Sequence, residues 1–125
     1  KSSHCTDLLI SQKTLTAVQE GMLQACQTGG TGWPFFNFAL EGTPIAVGCK
    51  TGTADAHKAH TRPFAWFTIY APYDKPEIAL TVLVEDAGEG SEIAAPIAKH
   101  ILTEYFTHSS RTQRASPSAT ISPQN

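Results

Sequence analysis

Pro44-Ile45-Ala46-Val47-Gly48-Cys49-Lys50-Thr51-Gly52-Thr53 opens as an apolar run and closes on four residues of mixed polarity. The run reads as a β-strand that carries those last four residues along a sheet. On a strand, Lys50 and Gly52 point one way while Thr51 and Thr53 point the other. Gly52 has no side chain, so a ligand can approach the backbone closely there. If the strand is a sheet edge, its outward N–H and C=O groups can pair with an extended, peptide-like ligand. One such N–H can also stabilise the oxyanion formed when a carbonyl is attacked. Lys50 would supply positive charge for a substrate carboxylate or a neighbouring hydroxyl.

Two further strands are expected downstream, at Phe64 to Ala71 and at Ile78 to Glu85. Both alternating sets of each contain apolar residues, the pattern of strands covered on both faces. The connection Pro72-Tyr73-Asp74-Lys75-Pro76-Glu77 is short and turn-rich, so the pair should form an antiparallel hairpin. Upstream, Ser11 is placed to N-cap a helix whose stripe is Leu15, Val18, Met22 and Cys26. Gln27-Thr28-Gly29-Gly30-Thr31-Gly32 ends it, because glycines suit left-handed caps and turns. Trp33-Pro34-Phe35-Phe36-Asn37-Phe38 follows as an aromatic loop, expected to pack back on the domain rather than serve as a binding platform. Ser91 to Phe106 is amphipathic, with Ile93, Ile97, Ile101, Leu102 and Tyr105 on one side. Pro96 should mark the true helix start, where its missing N–H costs little. The expected class is α+β, with an antiparallel sheet of three strands covered by helices on both faces.

The whole chain is 125 residues, enough for one domain at most. Its net charge is −2 and its basic residues are scattered, which argues against nucleic-acid binding. No apolar run reaches the roughly 18 to 20 residues of a membrane-spanning helix, and no signal peptide is recognisable. The chain starts at Lys1 without a methionine, as a truncated or processed piece would. Cys5, Cys26 and Cys49 are odd in number and unrelated in spacing. That argues against a complete disulfide framework or a paired zinc site, and Cys49 reads as a buried free thiol acting as a small hydrophobe. From His108 to Asn125 the composition turns to Ser, Thr, Pro, Gln and Arg, which cannot offset the entropy of ordering. Residues 1–107 are thus read as the folded part and 108–125 as a disordered tail. His57 and His60, with only Asp55 near in sequence, read as solvated loop residues and not as metal ligands. Glu85, Asp86 and Glu89 read the same way.

Lys50-Thr51-Gly52 matches the K-T-G element that accompanies S-x-x-K and S-x-N in β-lactamases and penicillin-binding proteins. Neither of the other two elements occurs in these residues. The chain therefore reads as one wall of a serine active site whose nucleophile lies elsewhere. Further segments fall in one order with it: Gly21-Met22, Gly48 through Ala54, Ala65-Trp66-Phe67, Tyr70-Ala71-Pro72, and Ala94-Ala95-Pro96-Ile97-Ala98. From about residue 8 to residue 106 the chain closely resembles the C-terminal part of the transpeptidase domain of class B penicillin-binding proteins. Cys49 departs from the pattern, since glycine is more usual there.

The resemblance implies a fragment of a peptidoglycan D,D-transpeptidase that cross-links stem peptides by serine acyl transfer, with no cofactor and no metal. It implies that Lys50 holds the network around the S-x-N serine and that the Thr53 N–H is one of two oxyanion donors. Thr51 and Thr53 would bind the terminal carboxylate of D-Ala-D-Ala or of a β-lactam, with Gly52 between them. Implied partners are the stem peptide, β-lactams, the N-terminal part of the same domain and a glycosyltransferase. The implied location is the extracytoplasmic face of the bacterial inner membrane. In such a fold two upstream strands lie beside Ile78 to Glu85; alone, that strand is a bare apolar edge and an aggregation liability. The isolated chain is accordingly expected to be inactive and poorly soluble or incompletely folded. A serine β-lactamase or β-lactam sensor fragment, or a non-catalytic binding module of the same fold, are the alternatives.

Overall fold

The computed structural model describes Asp7, residues 9–55 and residues 62–114. Helix α1 spans Gln12–Ala25 and is capped as expected, with the Ser11 hydroxyl accepting from the Thr14 N–H at 3.1 Å. A 3-10 turn, Trp33–Phe35, leads to a two-residue ribbon of β1 (Ala39–Leu40) and β2 (Thr43–Pro44). The main sheet is β3 (Gly48–Ala54), β4 (Phe64–Ala71) and β5 (Ile78–Val84), in that spatial order and antiparallel throughout. A π-type turn, Gly90–Ala94, then feeds helix α2, Ala95–Arg114, with Pro96 in its first turn. The α+β class and the hairpin of β4 and β5 are as the sequence led one to expect.

Two boundaries and one helix face differ. The strand expected from Pro44 begins at Gly48, because Pro44 pairs instead with Ala39 across a tight turn. That turn needs two left-handed residues, and Glu41 and Gly42 supply them at φ 48° and 80°. Helix α2 runs past Phe106, where its end was expected, to Arg114. Thr107 through Arg114 contains no Pro or Gly to stop it, so polar composition alone was a poor terminator. The remainder of the expected tail, 115–125, lies outside the described residues. Third, Ile97, Ile101 and Tyr105 of α2 lie outward, while Ala94, Ala95, Ala98 and Leu102 are fully buried. Small residues let the helix approach the sheet closely, and the bulkier stripe is left on the far side.

The core is one face of the sheet. Opposed residues of an antiparallel pair share a face, and the register sets Cys49 against Ile69, Thr51 against Phe67 and Thr53 against Ala65. Cys49, Ala65, Phe67, Ile69 and Ala71 are all fully buried there. Phe35 stacks on Phe67 with ring centroids 5.4 Å apart, and Phe38 meets Phe35 edge-on at 5.3 Å. The aromatic loop thus packs inward as expected, apart from Trp33, which is exposed. Lys99 of α2 ties the loop down by donating to the Pro34 carbonyl at 2.7 Å. Burying a Phe or Leu side chain is worth about 1.5–3 kcal/mol, so Phe67 and Leu102 anchor the motif-bearing sheet to its cover.

Candidate active-site strand

Lys50-Thr51-Gly52-Thr53 lies in the middle of β3, and β3 is an edge of its sheet among the described residues. Lys50 and Thr53 are exposed, and Thr51 and Gly52 are partly covered. The Lys50 Nζ donates to the carbonyl oxygen of Thr51. The Thr51 hydroxyl donates to the hydroxyl of Thr31 at 2.9 Å, across the loop that ends α1. Of the four motif residues, then, two present side chains outward and one is already engaged by a neighbouring loop.

Glycine at position 52 has a packing reason beside the expected close approach of a ligand. A Cβ there would stand 3.0 Å from the Cβ of Trp66, its partner on β4. Gly90 is more restricted still. A Cβ on it would fall 2.1 Å from the Trp66 carbonyl oxygen and 2.6 Å from that of Gly52. The start of the π-type turn is therefore seated directly on the backbone of the motif strand, which only glycine permits. At the strand's beginning, a Cβ on Gly48 would meet the Tyr70 ring at 2.4 Å. Burial, reinforced by the neighbouring Tyr73, raises the Tyr70 pKa above the usual tyrosine value.

The free-thiol expectation for Cys49 is overturned. Cys49 forms a disulfide with Cys26, their Cα atoms 5.8 Å apart, well inside the range such bonds need. Sequence spacing carried no sign of this, because the bond joins the C-cap of a helix to a strand 23 residues on. Cys5 lies outside the described residues, as do His57 and His60. Asp86, expected to be merely solvated, accepts a hydrogen bond from the Arg62 N–H. With Ala87 and Gly88 donating to the Pro63 carbonyl at 3.1 and 2.9 Å, it pins the loop after β5 to the entry of β4. Among the described residues no three His, Cys, Asp or Glu side chains gather as metal ligands. Nor is any described helix long and apolar enough to cross a membrane.

The model of the penicillin-binding protein transpeptidase domain matches residues 1–103. The chain belongs to that family. A peptidoglycan D,D-transpeptidase MrdA of Haemophilus influenzae is 48% identical over 49 residues, which are 39% of this chain and 8% of that protein. A peptidoglycan D,D-transpeptidase PbpA of Mycolicibacterium smegmatis is 41% identical over 68 residues, 49% of this chain and 13% of its own length. Among solved structures, Pseudomonas aeruginosa PBP2 in complex with WCK 5153 superposes with a TM-score of 0.66 at 29% identity. That match covers 79% of this chain and 21% of the other. PBP2 of Helicobacter pylori in its complex with MreC gives 0.59 at 32% identity, covering 79% and 18%. These relatives place the chain with the class B penicillin-binding proteins. It spans about a tenth of the length of the curated relatives and about a fifth of the solved chains.

Within this chain, sequence reasoning singled out the strand of Lys50-Thr51-Gly52-Thr53 and missed what holds it. Thr31, Cys26 and Gly90 all touch the motif strand or the residue before it. The glycines flanking Thr31 were a usable signal, since a threonine held among Gly29, Gly30 and Gly32 sits in a tightly specified loop. For Gly90 the signal was weaker, as one of two glycines around Glu89.

Proposed function

We propose that the chain contributes the K-T-G-T wall of a serine D,D-transpeptidase site, completed by a nucleophile-bearing part of the same domain. The observation that carries this reading is the placement of Lys50-Thr51-Gly52-Thr53 on a strand that is a sheet edge among the described residues, with Lys50 and Thr53 exposed. Backbone direction supports it. In an antiparallel strand a residue's N–H and C=O point to the same side, and alternate residues share that side. The Thr51 carbonyl is reached by Lys50 and so lies on the open edge, which puts the N–H of Thr53 there too.

The chemistry follows from that edge. A serine oxygen attacks the penultimate D-Ala carbonyl, and the oxyanion is held by the Thr53 N–H together with the serine's own N–H. Collapse expels the terminal D-Ala amine, which takes a proton. The amine of a second stem peptide then attacks the acyl-enzyme and releases the serine. Lys50 is assigned to the network of the S-x-N serine, and Thr51, Gly52 and Thr53 to the substrate's carboxylate end. Stem peptide, β-lactams and a glycosyltransferase are the partners proposed, at the extracytoplasmic face of the inner membrane. Residues 1–107 are assigned to the domain.

The test is acylation of the complete protein by a fluorescent penicillin. Lys50→Ala should slow it by roughly 100-fold or more, and Thr53→Pro, which deletes the oxyanion N–H, by about as much. Acylation at the parental rate in both variants would sink the assignment.

A further inference from the structure

We infer that Thr31 is a positioning residue for the site, acting through Thr51; the inference rests on the transpeptidase reading above. A threonine hydroxyl has one proton to donate. That of Thr51 is committed to the Thr31 oxygen at 2.9 Å. To meet a carboxylate Thr51 turns its proton to the substrate, and the Thr31 hydroxyl then donates to the Thr51 oxygen in its place. Thr31 thereby fixes the side-chain rotamer in which Thr51 meets the substrate and keeps its oxygen partnered through the exchange.

Thr31 is itself held firmly enough to do this. The Gly32 N–H donates to the Ala25 carbonyl at 2.7 Å, and the Gly30 N–H donates to the Gln27 carbonyl at 2.8 Å. A side chain on Gly30 would come within 2.4 Å of the Ala25 and Gln24 carbonyl oxygens, and one on Gly32 within 2.6 Å of the Cys49 sulfur. The loop is thus packed on the end of its own helix and on the disulfide. Cys26 to Cys49 and Thr31 to Thr51 are two ties from one loop to residues on the same face of β3, two positions apart. A covalent tie sets the loop against the strand, and the hydrogen bond then sets one hydroxyl.

A double-mutant cycle on the complete protein tests this, read as the second-order rate of acylation by a fluorescent penicillin. Thr31→Val should cost roughly tenfold, the worth of one good hydrogen bond. Thr31→Ser, which keeps the hydroxyl, should return the rate to within about twofold of the parent. In a Thr51→Val background Thr31→Val should have no further effect, because the two act through one bond. An undiminished loss in that background would mean that Thr31 acts on folding alone and would overturn the inference. So would a Thr31→Val rate equal to the parent's while Lys50→Ala is impaired. If instead Lys50→Ala acylates normally, the transpeptidase reading itself has failed. Should Thr31→Val not fold, Thr31→Ala removes the same hydroxyl without β-branching and is read against the same criteria.

Discussion

The motif strand and the outer side of β5 and α2 are built from comparable apolar residues and end in opposite states. Along β3 three residues are fastened: Cys49 to Cys26, Thr51 to Thr31, and Gly52 beneath Gly90. Elsewhere Leu83, on the Trp66 side of the sheet, is 41% exposed, and Ile97 and Ile101 on α2 are 43% and 42% exposed. Leu15 and Val18, at the far end of α1 from the disulfide, are open as well. Hydrophobicity does not separate the two regions; partners distant in sequence do. The contrast teaches that ties between residues distant in sequence, and not apolar composition, decide which part of this chain is held in one arrangement.

The largest blow to the fastened side should come from Gly90→Ala. The two atoms its Cβ would strike are backbone oxygens at 2.1 and 2.6 Å, which cannot swing aside as a side chain could. We expect a destabilisation of about 3 kcal/mol, at the upper end for overpacking, seen in urea denaturation. A change under about 1 kcal/mol would mean that the turn slides freely over β3 and braces nothing.

Next in size is the disulfide. Closing a loop of 23 residues is worth about 3 kcal/mol in the chain-entropy description. Cys49→Ala should lose about that much, and the parent under reducing agent should fall to the same midpoint. A parent that melts identically with and without reductant would remove the covalent tie from the comparison.

How much of this was legible beforehand divides along the same line. Ser11, the helical spacing of α1 and the turn at Pro72 to Glu77 act through near neighbours, so their pattern survives in the linear chain. Lys50-Thr51-Gly52-Thr53 stood out for a different reason, as an unusual combination of residue types on a strand. What escaped were ties over long separations: Cys26 with Cys49, Thr31 with Thr51, Asp86 with Arg62, Gly90 over Gly52. Each is a pairing of two ordinary residues that only the folded path brings together. The outward isoleucines of α2 escaped for a related reason. Periodicity marks an apolar stripe but does not say whether the sheet will take that stripe or the row of small alanines beside it.

The open side can be probed by Ile97→Lys with Ile101→Glu. In the isolated chain these sites face solvent, so each change should move stability by less than about 0.5 kcal/mol while raising solubility. In the complete protein, if the rest of the domain covers them, each should cost about 1.5–3 kcal/mol. The comparison is sharpened by the difference between those two measurements, and equal small effects in both would show that this surface stays bare.

The smallest expected effect lies within the fastened side, at Tyr70. Its ring fills the place of the side chain that Gly48 lacks, and its buried hydroxyl finds no hydrogen-bond partner among the described residues. Tyr70→Phe keeps the ring and removes an unsatisfied polar group, so stability should rise by about 0.5–1 kcal/mol at neutral pH. The pH dependence carries the sign. Burial first, and Tyr73 second, raise the folded-state pKa above the unfolded value near 10. The unfolded chain therefore ionises first, and the contribution of this proton is fully present below about pH 10 and lost as pH rises through the folded value. Urea midpoints at about pH 8 and about pH 10.5 should diverge more in the parent than in Tyr70→Phe. An equal fall in both would mean that the phenol reaches water, and that the packing under the first residue of β3 is looser than that of the loop and turn seated on the motif itself.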